Sequence, residues 1–299
     1  MSWSTTLKNR QRIRAALDAG ETIAVMFSDI RGFTSYTARE GDDAAFRLSQ
    51  LHRRLLEEII EECGGVLVKT LGDGIMAAFP EPGRGLGAAA SIQRAIRDKN
   101  RTSDDVQIDV GIGLAAGTPI MTEADLIGHS VNLSQRISSL AKGGQILLDA
   151  SVFDAAAVPQ DVRCIPLGPR KLKGLGEESV YELLWLPERA RISDGKDLVT
   201  LILTDRNTLL IEVAKELAMP SPPEEGAFSR GLSKWIRRGT QAIVRASLGA
   251  FGVREHPLDA VHATLHGRDL VLRYGNGGLR LRDVDPELAK TFIEQMSVQ

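Results

Sequence analysis

The chain has 299 residues, 43% of them hydrophobic and 25% charged, with a formal net charge of −2. That length is a prior for two domains, the composition is that of a globular chain, and the near-balanced charge excludes the global basic field of a nucleic-acid binder. The only two cysteines, Cys63 and Cys164, make no disulfide framework, so a reduced, cytoplasmic protein is expected. Residues 2–8 lack the apolar core of a signal peptide, and no run approaches about 18 apolar residues, so peripheral contact is the only membrane association expected.

In chain order, residues 5–19 read as a short basic helix with Leu7, Ile13, Ala16 and Leu17 apolar. Ile23 to Phe27 is a continuous apolar run with β-branched members, the pattern of a buried strand. It stops at Ser28-Asp29, and Gly32 follows. Residues 42–63 form the clearest helix, with Phe46, Leu48, Leu51, Leu55, Ile59 and Cys63 as its apolar members. Gly64-Gly65 ends it, since glycine tolerates a left-handed cap. Residues 66–68 and 75–79 read as two strands of a hairpin with Asp73 near its tip. A helix is expected over 84–99, a strand over 106–115, a helix over 130–141 and a strand over 145–148. A short helix over 150–157 and two strands within 162–186, around a Lys- and Gly-rich turn, complete the unit. Strand, helix, hairpin, helix, strand is the order of an α+β domain on a ferredoxin-like core.

Residues 188–196 are charged and aperiodic, and read as a linker to a second unit, 197–299. There, 199–213 suits either a hairpin turning at 205–207 or a strand followed by a helix. Residues 260–265, 269–274 and 278–281 read as short strands. Asp285-Pro286 starts a terminal helix with Leu288, Phe292 and Met296 on one face. Strands followed by a terminal helix suit a small pleckstrin-homology-like module. Residues 228–249 are basic and amphipathic. They suit contact with anionic lipid or a protein partner, or a domain helix with a solvated basic face, and the second reading is preferred.

Asp29 ends a buried strand and Asp73 sits on a hairpin. Two carboxylates at one sheet edge can hold Mg²⁺ through oxygen ligands, and paired ions suit phosphoryl chemistry. Locally, an Asp capping a turn and an Asp serving a hairpin explain the same residues equally well.

The flanking residues add a family resemblance. Phe27-Ser28-Asp29-Ile30-Arg31-Gly32-Phe33 resembles the F-T/S-D-I-x-G-F signature of the class III adenylate and guanylate cyclases. Residues 69–79, Lys-Thr-Leu-Gly-Asp-Gly-Ile-Met-Ala-Ala-Phe, resemble their K-x-x-G-D hairpin. Residues 128–136 resemble their G-x-x-V-N helix ending in arginine, and 172–176 their late K-G turn. The four motifs occur in the family's order across 20–187, behind an N-terminal helical segment at 1–19.

The resemblance implies a palm-type cyclase domain that converts ATP to 3′,5′-cyclic AMP and pyrophosphate on two Mg²⁺ or Mn²⁺ ions. Asp29, Asp73 and the Ile30 carbonyl match the metal ligands. Lys69 and Asp125 match the two base-reading positions, Asn132 the residue orienting the ribose, Arg136 the transition-state arginine and Lys173 the lysine on the terminal phosphates. Physical chemistry agrees on the base. Adenine offers an N6 donor to an aspartate and an N1 acceptor to a lysine, whereas guanine reverses both and leaves buried groups unpaired at about 1–3 kcal/mol each. Asn132 and Arg136, four apart, share one helix face.

In the family the metal aspartates come from one subunit, and the base, ribose and transition-state residues come from its partner. One complete set per chain therefore implies a head-to-tail homodimer with two sites. Two departures stand out. The strand pair that reaches toward the partner is trimmed to about 117–123, and Ser134-Gln135 replaces a pair of small residues. The alternatives are a guanylate or other cyclase with relaxed base choice, and a catalytically weak nucleotide-sensing module.

Overall fold

Strict alternation along β1 (Ile23–Ile30) organises the N-terminal half of the chain. Successive side chains of a strand point to opposite faces. Ile23, Val25 and Phe27 pack with Ile13 and Ala16 of α1 (Trp3–Asp18) and with Val131 of α5 (His129–Leu140). The same period carries Asp29 to the α5 face. On the other face, Ala24 lies under α4 (Pro82–Thr102), so closely that a Cβ on Gly85 would fall 2.9 Å from the Ala24 methyl. The computed structural model describes residues 3–102, 106–156, 162–185, 188–204, 208–213, 253–274 and 277–297. These divide into two units, 1–185 and 186–299.

In the first unit, α2 (Phe33–Glu40) and α3 (Asp42–Glu62) link β1 to the hairpin of β2 (Val66–Leu71) and β3 (Gly74–Phe79). Helix α4 then leads to β4 (Val110–Gly117). The order β2-β3-β1-β4, with every neighbouring pair antiparallel, is the ferredoxin-like core expected from the sequence. A two-stranded ribbon, β5 (Ile120–Met121) and β6 (Leu126–Ile127), precedes α5. Then come β7 (Ile146–Asp149), α6 (Ala150–Ala155), β8 (Arg163–Leu172) and β9 (Gly176–Leu184), which extend the sheet to seven strands in the order β2-β3-β1-β4-β7-β9-β8. β7 runs parallel to β4.

The buried face of α3 differs from the expected one. It runs Ala45, Leu48, His52, Leu56, Ile60, whereas Phe46 is 63% exposed and Leu51, Leu55 and Ile59 are half-buried. The i, i+4 stripe against the sheet passes through His52. A histidine among leucines carried too little apolar signal to set the phase. The strand expected from residue 106 is paired only from Val110.

The second unit begins earlier than expected, because the segment assigned as linker is a strand. β10 (Glu188–Ser193) pairs with β11 (Val199–Thr204), and buried Ile192 anchors it. Its charged residues Glu188 and Arg191 are exposed, so one buried isoleucine leaves too little apolar period to mark a strand. β12 (Thr208–Val213) and β13 (Val253–Pro257) complete a four-stranded meander, so the hairpin alternative for 199–213 is the one adopted. β14 (Val261–His266), β15 (Asp269–Tyr274) and β16 (Gly277–Leu281) form a second, three-stranded meander.

Helix α7 (Pro286–Ser297) closes the unit. Phe292 shares one core with Leu201 and Leu209 of the first sheet and Leu270 and Leu281 of the second. Each such buried side chain contributes about 1.5–3 kcal/mol. The Asp285 carboxylate accepts the amides of Glu287 and Leu288 at 2.9 and 3.0 Å, capping the helix where Pro286 needs no hydrogen bond. Leu288, expected on the apolar face, is 59% exposed, and Ala289 takes the buried position. The basic stretch 228–249 lies outside the described residues. Among the described residues no helix is long and apolar enough to cross a membrane.

Candidate active site

The β1–β3 register places Ser28 opposite Ile75, so Asp29 stands beside the tight β2–β3 turn that carries Asp73. Gly72 takes φ 67°, a conformation glycine adopts without strain, and lets the turn close. The two carboxyls lie within hydrogen-bonding reach of each other. Burial, then the Asp29 charge, push the Asp73 carboxyl up to about 6. Two carboxylates held together at such a cost suit a cation. Among the described residues no third His, Cys, Asp or Glu joins them, so a bound ion would complete its shell with water, carbonyl or phosphate oxygens. Ile30 is the buried last residue of β1 beside them.

Two neighbours hold this corner, and the sequence reading missed both. His52 projects from α3 toward the Asp73 backbone. Burial holds its imidazole down at about 4, and among the described residues its Nε2 has no partner. Arg31 donates to Asp29 Oδ2 at 3.1 Å and to the Ser138 carbonyl, in the last turn of α5, at 2.6 Å. Its own amide is held by the Asp109 carbonyl at 2.7 Å. A signal for this close packing was present in β4, where Gly111, Gly113 and Gly117 share one face. A Cβ at Gly111 would sit 2.2 Å from Arg31 Nη2, one at Gly113 2.2 Å from the Ser138 amide nitrogen, and one at Gly117 2.9 Å from the Ser130 Cβ. Glycine recurring at period two marks a strand that another chain segment approaches closely.

That approach seats α5. Buried Ser134 places its hydroxyl 2.9 Å from the Val25 carbonyl and 3.0 Å from that of Gly113, a single donor shared between two strands. A hydroxyl of this size fits the gap, which explains Ser134 in the third motif. Gln135 points to solvent and needs no accommodation. With Val131, Leu133, Ser134 and Ile137 facing the sheet, Asn132 and Arg136 fall on the exposed side of α5. Among the described residues neither side chain makes a hydrogen bond or ion pair.

Lys69 and Asp125 come together from different elements. Lys69 lies on β2 beside a register shift, opposite Met76. Asp125 closes the β5–β6 turn, where its amide donates to Thr122 Oγ1 at 2.9 Å and its carbonyl accepts the Thr122 amide at 2.9 Å. The Lys69 ammonium sits 2.5 Å from Asp125 Oδ2 and holds that carboxyl below the usual range. Arg10 of α1 donates to the Thr122 carbonyl at 3.1 Å and to that of Glu123, bracing the same turn. The ribbon expected to be trimmed is therefore short, at two residues per strand, but it sets the position of Asp125. Lys173 is exposed in the β8–β9 turn and makes no ion pair among the described residues.

A ferredoxin-like sheet with paired carboxylates at one edge, a lysine–aspartate pair beside a hairpin and a helix presenting Asn and Arg is the arrangement of a nucleotide cyclase catalytic domain. The family model described as Adenylate and Guanylate cyclase catalytic domain matches residues 16–185, and the chain belongs to that family. An adenylate cyclase of Anabaena cylindrica is 31% identical over 196 residues, covering 58% of this chain and 39% of that protein. An adenylate cyclase of Streptomyces coelicolor is 30% identical over 129 residues, covering 43% and 32% respectively. The chain thus spans less than half the length of these relatives. Among solved structures, an adenylyl cyclase from P. aeruginosa aligns with a TM-score of 0.48 at 20% identity, over 55% of this chain and 93% of that one.

Proposed function

We propose that the domain converts ATP to 3′,5′-cyclic AMP and pyrophosphate at sites shared between two copies of the chain. The observation that carries the base choice is the Lys69–Asp125 pair, 2.5 Å apart. It sets a donor beside an acceptor, the complement of the adenine N1 and N6 edge. The ribose 3′-oxygen attacks the α-phosphorus, its proton passes to solvent, and the bond to pyrophosphate breaks. Asn132 orients the ribose, Arg136 meets charge developing on the α-phosphate, and Lys173 holds the departing pyrophosphate. Divalent ions held by Asp29, Asp73 and the Ile30 carbonyl would supply charge stabilisation for the attacking and leaving oxygens.

The shared site draws support from exposure. Asn132 and Arg136 face away from their own sheet, while Ile120 and Ile127, paired across the ribbon, are 70% and 58% exposed. A second copy would cover them. In the C-terminal unit, four strands, three strands and a closing helix around one core support the pleckstrin-homology-like reading, and a regulatory role for that unit.

The test incubates the full chain separately with ATP, GTP, CTP and UTP in Mg²⁺ or Mn²⁺. Cyclic AMP is expected as the main product. Cyclic GMP as the main product overturns the base argument, and no product from any nucleotide favours the sensing alternative. Asp29→Ala mixed with Arg136→Ala should regain activity through one intact site per heterodimer. A demonstrably mixed but inactive dimer counts against sharing.

A further inference from the structure

The Arg31 guanidinium sits on one oxygen of the Asp29 carboxylate, and three observations show that the site is shaped to keep it there. The residue is held at its root by the hydrogen bond its backbone amide donates to the Asp109 carbonyl. Its far end is fastened to the Ser138 carbonyl at the C-terminal end of α5, where the partial negative charge of the helix terminus favours a cation. Its middle lies across Gly111, where any side chain would collide with Nε, Cζ and Nη2. The fit is not one of saturated hydrogen bonding, because among the described residues the buried Nε finds no acceptor. A buried donor left unpaired is a standing cost. The arrangement therefore answers to charge, and the charge it answers is that of two adjacent carboxylates.

We infer that Arg31 is a resident counter-cation, a positioning residue that occupies Asp29 until a divalent ion arrives and so sets the affinity of the carboxylate pair for metal. An ion bound to Asp29 through Oδ2 competes with Nη1 for that oxygen, and through either oxygen it feels the guanidinium charge at close range. When the ion takes that oxygen, Arg31 keeps its bond to Ser138. Arg31 thus joins the metal corner to the helix carrying Asn132 and Arg136. The inference rests on the proposed metal role of Asp29 and Asp73.

The test measures Mn²⁺ binding to the full chain without nucleotide, by the electron paramagnetic resonance signal of free Mn²⁺. The proteins are wild type, Arg31→Lys, the neutral Arg31→Met and Arg31→Gln, and Asp29→Asn. The neutral variants should bind Mn²⁺ about tenfold more tightly, as expected when a nearby like charge is removed. The charge-retaining Lys variant should stay within about threefold of wild type. In EDTA the neutral variants should melt below wild type, and saturating Mn²⁺ should close that gap. A role confined to packing would lower melting equally with and without metal. Unchanged or weaker Mn²⁺ binding in both neutral variants overturns the inference, provided Asp29→Asn abolishes binding. If Asp29→Asn binds as well as wild type, the metal assignment fails, and the role of Arg31 falls with it.

Discussion

Asp73→Asn should stabilise the metal-free protein while abolishing turnover. The wild-type carboxyl titrates at about 6 rather than at its ordinary 3.8, because it is partly buried beside Asp29. Taken at face value, a shift of about two units is worth roughly 3 kcal/mol. Asp29 is 40% exposed and Asp73 is only partly covered, so solvent screening reduces this to about 1 kcal/mol. The sign follows from proton uptake. Between pH 4 and 6 the folded protein binds the Asp73 proton more tightly than the unfolded chain, so stability falls as pH rises, and the full cost stands above pH 6. Asparagine keeps the shape and removes the charge. In EDTA at pH 7.5, differential scanning calorimetry should show the variant melting roughly 2–4 °C higher. At pH 4.5 the gain should be clearly smaller, because the wild-type carboxyl is then partly protonated when folded. A variant that melts no higher than wild type at pH 7.5, or gains as much at pH 4.5, refutes the argument that the two carboxylates repel each other.

His52 gives an opposite slope. Its imidazole is held at about 4, so between pH 6.5 and 4 the unfolded chain takes up a proton that the folded chain refuses, and stability is lost as pH falls. Urea titrations at pH 7.5 and 5 should show wild type losing about 2 kcal/mol to this group, a loss that His52→Leu removes. Gly113→Ala should cost at least the ~3 kcal/mol that marks severe overpacking, because the new methyl meets α5 backbone atoms that cannot rotate away. A melting temperature within a few degrees of wild type would show that α5 can lift off β4. The Cys164 thiol is pushed up to about 12 by burial, so iodoacetamide at pH 8 should label it far more slowly in native than in urea-unfolded protein, read by mass spectrometry.

The periodic elements of both units follow from local pattern, since a strand between two layers must be apolar throughout and an amphipathic helix must repeat near 3.6. This is why β1, the β2–β3 hairpin, α5 and the three late strands fall close to their expected places. Where the local pattern is weak, the structure departs from it. The buried stripe of α3 runs through His52, a core position that apolar periodicity does not mark. The β10 strand passed as linker because one buried isoleucine among charges does not make a periodicity.

The candidate site divides in the same way. Asp29, Asp73, Lys69, Asn132, Arg136 and Lys173 stand at spacings that a linear motif can carry. The contact between Lys69 and Asp125 cannot be read that way, because it depends on how the β5–β6 turn folds back toward β2. The same holds for Arg31. In the motif it fills a position open to any residue, and only the glycine face of β4 and the end of α5, 107 residues away, give it a partner and a reason to be charged. Local sequence dictates which face a side chain takes along its own element. Which distant group it then meets is decided by how closely sheet and helix pack, and here that closeness comes from glycines at 111, 113 and 117.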